Sequence, residues 1–160
     1  MDVSIRQMQK EDIASVQEVA KISWHDTYED LIPIDVQNRF LNSAYSNESM
    51  FNRLKHSHLF VAEVDEKIVG FANFSPVQKD GKIELGAIYL NPAYQGKGIG
   101  TSLLAKGIKM DGVKKLIVNV EKENEKGMNF YHAKGFEFVS EHEEEFDGHL
   151  LKTVCLKLTI

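Results

Sequence analysis

Apolar and polar residues alternate over Val3-Ser4-Ile5-Arg6 and on to Met8, which predicts an opening strand. Ile13, Val16, Val19, Ala20 and Trp24 then recur at helical spacing, with Glu11 and Asp12 in the first turn, where the helix dipole favours acids. Pro33 suits the first turn of a second helix through Phe40-Leu41. Ser46 or Asn47 is placed to cap a short third helix carrying Met50, Phe51 and Leu54. Residues 59–64 and 67–74 read as two strands joined by the tight turn Asp65-Glu66. Lys79-Asp80-Gly81-Lys82 supplies the next turn into a strand over 82–90. A helix over 98–110 follows, then the apolar run 115–120, suited to a buried strand. The pattern closes with a helix from Glu125 to about Lys134, stopped by Gly135, and strands over 136–140 and 150–158 joined through Asp147-Gly148.

A strand, helices, three antiparallel strands, helix, strand, helix and two strands make a mixed α/β layer and not a doubly wound sheet. With no linker or internal repeat, residues 1–160 are expected to form one domain, long enough to build a core without staples. The single cysteine, Cys155, excludes an internal disulfide, and its place in the alternating run 153–158 marks it as a packed strand residue. No leader-like segment or membrane-length apolar run is present, so a cytoplasmic protein is expected. Net charge is −5 without a basic stripe, which disfavours nucleic acid as a partner. Glu141-His142-Glu143-Glu144-Glu145 reads as a solvated strand end or loop. His56-Ser57-His58 lacks a third ligand, so no metal site is expected.

Chemistry concentrates at Gln95-Gly96-Lys97-Gly98-Ile99-Gly100, between the strand over 82–90 and the helix that begins near Thr101. Helix-start amides lack intrahelical partners, the dipole is positive there, and glycine lets a phosphate approach. Lys97 adds a mobile charge. A P-loop is excluded, because neither Gly-Lys dipeptide is followed by Ser or Thr. A dinucleotide fingerprint fails at its third glycine, which falls on Thr101 or Leu103. Gln95, Gly98 and Gly100 instead fill Gln/Arg-x-x-Gly-x-Gly/Ala.

That pattern, with Glu84-Leu85-x-x-Ile88-Tyr89-Leu90 before it and Asn124-x-x-Gly127-x-x-Phe130-Tyr131-x-x-x-Gly135-Phe136 after it, resembles the GNAT superfamily of N-acetyltransferases over nearly the whole chain. Gly127 stands where that family usually has Ala. The resemblance implies the acyl-CoA N-acyltransferase fold, a twisted mixed sheet with helices on both faces. In that fold the strand before the loop and the strand after its helix splay to receive acetyl-CoA.

It further implies that Gly96 to Thr101, Ile99 included, hold the pyrophosphate beside Gln95. Ile88, Tyr89 and Leu90 would pair with the pantetheine amides, an N–H near Ile88 would hold the oxyanion, and Asn124 would contact the cofactor arm. Tyr131 would protonate the departing thiolate, since a phenol is protonated at neutral pH. Glu84 would be the base, acting through water. By alternation Glu84, Gly86, Ile88 and Leu90 share one strand face, unless a bulge near Gly86-Ala87 intervenes.

In the family the acceptor lies between the first helices and the last hairpin, here Trp24, His25, Tyr28 and the acidic run 141–147. An aromatic wall with acids suits a cationic, polyamine-like small-molecule amine. An aminoglycoside, a free amino acid or a peptide N-terminus as acceptor and a non-catalytic acyl-CoA-binding sensor are the alternatives, and a homodimer is left open.

Overall fold

The computed structural model describes residues 1–160, and seven strands form one sheet in the order β1-β2-β3-β4-β5-β7-β6. Strands β1 (Val3–Gln7), β2 (His58–Val64), β3 (Lys67–Phe74) and β4 (Lys82–Leu90) are successive antiparallel neighbours. Strand β5 (Lys115–Glu121) runs parallel to β4, and β7 (His149–Thr159) and β6 (Glu137–Phe146) complete the sheet antiparallel. Helices α1 (Ile13–Tyr28), α2 (Ile34–Ala44) and α3 (Asn47–His56) precede β2, α4 (Ile99–Ile108) joins β4 to β5, and α5 (Glu125–Ala133) joins β5 to β6.

Two cores sit on opposite faces. On one, Ile99, Leu103 and Leu104 of α4 and Tyr131 of α5 pack over Phe60, Ala72, Ile83 and Leu116. On the other, Val16, Val19, Trp24, Val36 and Met50 of α1 to α3 pack over Leu59, Val61 and Phe71. The alternation of β2 explains the split, since Leu59 and Val61 belong to the second core and Phe60, Ala62 and Val64 to the first.

The local signals act as expected at most termini. Ser46 caps α3, its hydroxyl accepting from Ser49 N at 3.1 Å. Gly135, at φ +90°, follows α5 in the left-handed region. Pro33 stands one residue earlier than expected, as the N-cap of α2. The larger correction concerns β6, which runs ten residues to Phe146 and takes in the whole acidic run. It is the sheet's edge strand, with nine of its ten positions exposed, so its polar sequence carries no periodic core signal while its backbone still pairs with β7.

The seam between β4 and β5 positions the site. They pair only from Lys82↔Lys115 to Leu85↔Val118, although both strands continue beyond. At that point β4 carries a bulge: Phe74 faces Leu85 and Asn73 faces Ala87, so Gly86 is an extra residue. The bulge reverses the alternation. Ile83 and Leu85 lie on the α4 side together with Ile88 and Leu90, whereas Ala87 and Tyr89 lie on the α1 side. Glu84 therefore shares a face with Ala87 and Tyr89 and not, as simple alternation predicts, with Ile88 and Leu90.

Candidate active site

Where β4 and β5 part, a cavity of ≈ 450 Å³ opens, walled by β4 from Leu85 to Leu90, by Val118 to Val120, by α1 and by α5. Ile88, Tyr89, Leu90, Gln95, Gly100, Asn124 and Tyr131 all line it, as does Tyr28. Residues from four distant stretches of sequence thus meet at one place.

Gly98 is the N-cap of α4 in the left-handed region, at φ +81° and ψ 4°. The first amide bonded into the helix is that of Ser102, to the Gly98 carbonyl at 3.1 Å. The N–H groups of Ile99, Gly100 and Thr101 are thereby left for a ligand. Gly96, Lys97, Gly98 and Thr101 are exposed around this end, while the Ile99 side chain turns into the core. Ile99 can therefore offer only its backbone. Such a helix start has the geometry to receive an anion, with the Lys97 side chain beside it.

Tyr131 is 5% exposed, its ring set edge-on against Phe130 and Phe136 at centroid distances of 5.3 and 5.1 Å. Its hydroxyl bonds no protein group and is not sealed from the cavity. Burial raises its pKa above the ordinary tyrosine value, so it stays a proton donor throughout the neutral range. Tyr28 is likewise pushed up, chiefly by burial, to about 12. Asn124 caps α5, its Oδ1 accepting from Gly127 N at 3.0 Å. A Cβ on residue 127 would meet Asn124 Nδ2 at 2.7 Å, so glycine at that position lets the cap lie flat against the helix.

Not every expected residue reaches the cavity wall. Glu84 is exposed beside the wall, and its nearest link to the cavity is a long 3.5 Å contact from Asn119 Nδ2 to Glu84 Oε1. Leu90 lines the cavity, but its carbonyl already accepts from Ser23 Oγ at 2.7 Å, which ties α1 to the end of β4. Trp24 is a core residue, 4.4 Å from the Tyr28 ring and 4.3 Å from Phe40. His25 points elsewhere, to Asn38 at 3.0 Å. Sequence reading missed Ser23, Thr27, Asn119 and Lys126, which also line the cavity. Of these only Asn119 carried a signal, as the polar residue inside an apolar strand run.

A parallel seam that opens into a wedge, a helix N-terminus at its mouth and a free tyrosine hydroxyl inside define an acyl-CoA-dependent N-acyltransferase. The chain belongs to the acetyltransferase (GNAT) family, whose sequence profile matches residues 16–136. It is 37% identical to the uncharacterized N-acetyltransferase YuaI of Bacillus subtilis (strain 168), covering 96% of this chain and 91% of that one. It is 30% identical to a spermidine N(1)-acetyltransferase of Thermoplasma acidophilum, over 92% and 93% of the two chains. Among solved structures, the PaiA N-acetyltransferase of Thermoplasma acidophilum in complex with coenzyme A superposes with a TM-score of 0.85 at 26% identity, covering 100% of both chains. The protein is thus an acetyl-CoA-dependent acyltransferase. No helix is long and apolar enough to cross a membrane.

Proposed function

We propose that the protein transfers the acetyl group of acetyl-CoA to a primary amine of a small, polyamine-like cation by direct attack in a ternary complex. The observation that carries this reading is the unbonded Tyr131 hydroxyl inside the wedge between β4 and β5. An acyl-CoA-binding sensor has no use for a proton donor at that point. The acidic α1 end, the acidic β6 and the 30% identity to a spermidine N(1)-acetyltransferase support a cationic acceptor.

In this reading the pyrophosphate sits on the amides of Ile99, Gly100 and Thr101, with Gln95 and Lys97 beside it, and the thioester lies along β4. The neutral amine attacks the carbonyl carbon, the C–N bond forms, and the electron pair moves to oxygen, held by a backbone N–H near Ile88. The C–S bond then breaks and the sulfur takes the proton of Tyr131, which is restored from solvent. The surplus amine proton leaves through water to Glu84. The bulge supports that assignment, because it puts Glu84 on the α1 side, and the Asn119 contact bridges it toward the cavity.

The test is to incubate the protein with acetyl-CoA and a panel of amines while following free thiol. Amine-dependent thiol release, strongest with polyamines, is the expected result. Tight acetyl-CoA binding with no release by any amine would favour the sensor. Release only with peptide N-termini would move the acceptor to that class.

A further inference from the structure

An alkylamine has two protons to lose on its way to an amide, and Glu84 accounts for only the second. An alkylammonium keeps its extra proton up to about pH 10, so at neutral pH the acceptor arrives with no lone pair to attack. A group that takes this first proton is needed before the C–N bond can form. Strand β5 carries one. Leu116, Val118 and Val120 belong to the α4-side core, so Ile117, Asn119 and Glu121 point to the α1 side. Glu84 shares that side and stands level with Ile117 in the parallel register. Asn119, which lines the wedge, lies between the two carboxylates. Glu121 is four strand residues past Ile117, about 13 Å, which is beyond a Debye length, so the two carboxylates titrate independently.

Several features set Glu121 apart from a surface carboxylate. Its place is fixed at the turn into α5, where its Oε2 accepts from Glu123 N at 2.7 Å. It is half-buried, and burial, with the like charge of Glu123 behind it, holds its pKa above the usual carboxylate value. No cation neutralises it, since the adjacent Lys122 turns to Glu141 at 2.8 Å and β7 faces it with the uncharged, buried Thr153. Its charge also reaches the wedge. The Tyr28 phenol, raised chiefly by burial, is raised further by Glu121, and it lines the wedge beside the Tyr89 hydroxyl and the Asn124 amide. Tyr28, Asn119 and Asn124 thus supply the hydroxyl and amide groups that can hold water between the cavity and this carboxylate.

We infer that Glu121 takes the first proton of the acceptor ammonium, through water at the Tyr28 end of the wedge, and leaves the second to Glu84. One N–H bond of the ammonium breaks, its electron pair stays on nitrogen as the nucleophile, and the proton passes to the Glu121 carboxylate and then to solvent. A carboxylate made more basic by burial is better matched to an ammonium than an ordinary one. At high pH the amine arrives neutral, and Glu121, still ionised, is free to accept the second proton when Glu84 is missing. This rests on the amine-acetyltransferase reading above.

The experiment follows thiol release from saturating acetyl-CoA with spermidine as acceptor, as a function of pH. Glu121→Gln should bind CoA as the parent does, turn over roughly 10²-fold more slowly near neutrality, and approach the parent's rate near pH 10, where the amine supplies its own lone pair. Glu121→Asp, which keeps a carboxylate, should restore part of the neutral-pH rate. The double variant Glu84→Gln/Glu121→Gln should lose the high-pH recovery expected of Glu84→Gln alone. The inference is overturned if Glu121→Gln keeps the parent's pH profile, or if it is slowed by the same factor at every pH, as loss of a structural contact would do. A double variant that recovers at high pH as fully as Glu84→Gln also overturns it. A parent that releases no thiol with spermidine would instead bring down the polyamine-acetyltransferase reading, and this inference with it.

Discussion

Replacing Gly98 by alanine separates what the loop does for the fold from what it does for the ligand. Gly98 sits at φ +81°, and a Cβ built there meets nothing within 4 Å. The cost to the folded protein is then only that of holding an L-residue in the left-handed region, about 1–2 kcal/mol. Gly148 provides the matching control, at φ +84° in the β6–β7 turn, again with nothing within 4 Å. Gly148→Ala should lose a similar stability in equilibrium urea unfolding. The two variants should part in calorimetric titration with CoA. At Gly98 the new methyl fills the space a phosphate needs to reach the helix-start amides, so one amide–phosphate hydrogen bond is lost or lengthened. At about 1.5–3 kcal/mol for such a charged bond, CoA affinity should fall roughly 10- to 100-fold. Gly148→Ala should bind CoA as the parent does. If Gly98→Ala loses stability like its control yet binds CoA with the parent's affinity, the phosphate does not sit at this helix end.

Tyr131→Phe should leave CoA affinity unchanged and slow turnover by about 10²–10⁴-fold, measured as thiol release. Because burial holds the phenol's pKa above its ordinary value, the parent's kcat should show no decline from Tyr131 ionisation up to about pH 10; normal turnover in the variant would make Tyr131 a packing residue. Glu84→Gln should be slow near neutrality and recover partly at high pH, where the amine arrives deprotonated, and a parental pH profile would remove Glu84 from the mechanism. Gly107→Ala should destabilise by about 1–3 kcal/mol in urea unfolding, despite the roughly 1 kcal/mol helix propensity gained, because the new methyl would overlap the buried Phe74 ring. Asp12 is held below its usual carboxylate pKa, first by hydrogen bonds from Arg6, at 2.7 and 3.0 Å. Its stabilisation is thus full above the unfolded value of about 3.9 and lost as pH falls through the lowered folded value. Asp12→Asn should cost about 2 kcal/mol at pH 7, and the gap to the parent should narrow below about pH 4.

The sequence carried the parts of this molecule that depend on local chemistry. Helix spacing, the Ser46 cap, the Gly98 turn and the place of Tyr131 relative to Phe130 and Phe136 are set by residues within a few positions of one another. What stayed hidden depends on partners far along the chain. A bulge near Gly86-Ala87 was open in the sequence, but only the pairing of β4 with β3 decides that it is there and so which face Glu84 takes. Ser23 and Thr27 join the wedge because α1 packs across β4, with no mark in their own surroundings. Trp24, a plausible wall for a cation, is instead taken up by Tyr28, Phe40 and Phe146, and the last of these lies more than a hundred residues away. The start of edge strand β6 was legible over 136–140, but its run through the acidic residues to Phe146 was not, since a strand exposed on both faces needs no apolar alternation.

The extra residue in β4 makes the site separable from the scaffold at the level of a single codon. Asn73 and Phe74 of β3 face Ala87 and Leu85, so with Gly86 deleted those two residues would become ordinary successive rungs. Leu85 would still enter the α4-side core and Ala87 the α1-side core, because the deletion restores the alternation that the bulge interrupts. Shortening by one residue elsewhere in β4 would send every following side chain to the wrong face. At Gly86 it removes only the kink at which β4 leaves β5. A chain one residue shorter is therefore expected to keep its cores in urea unfolding while its β4 stays beside β5 past Leu85, and its thiol release with acetyl-CoA should fall with the loss of the cleft.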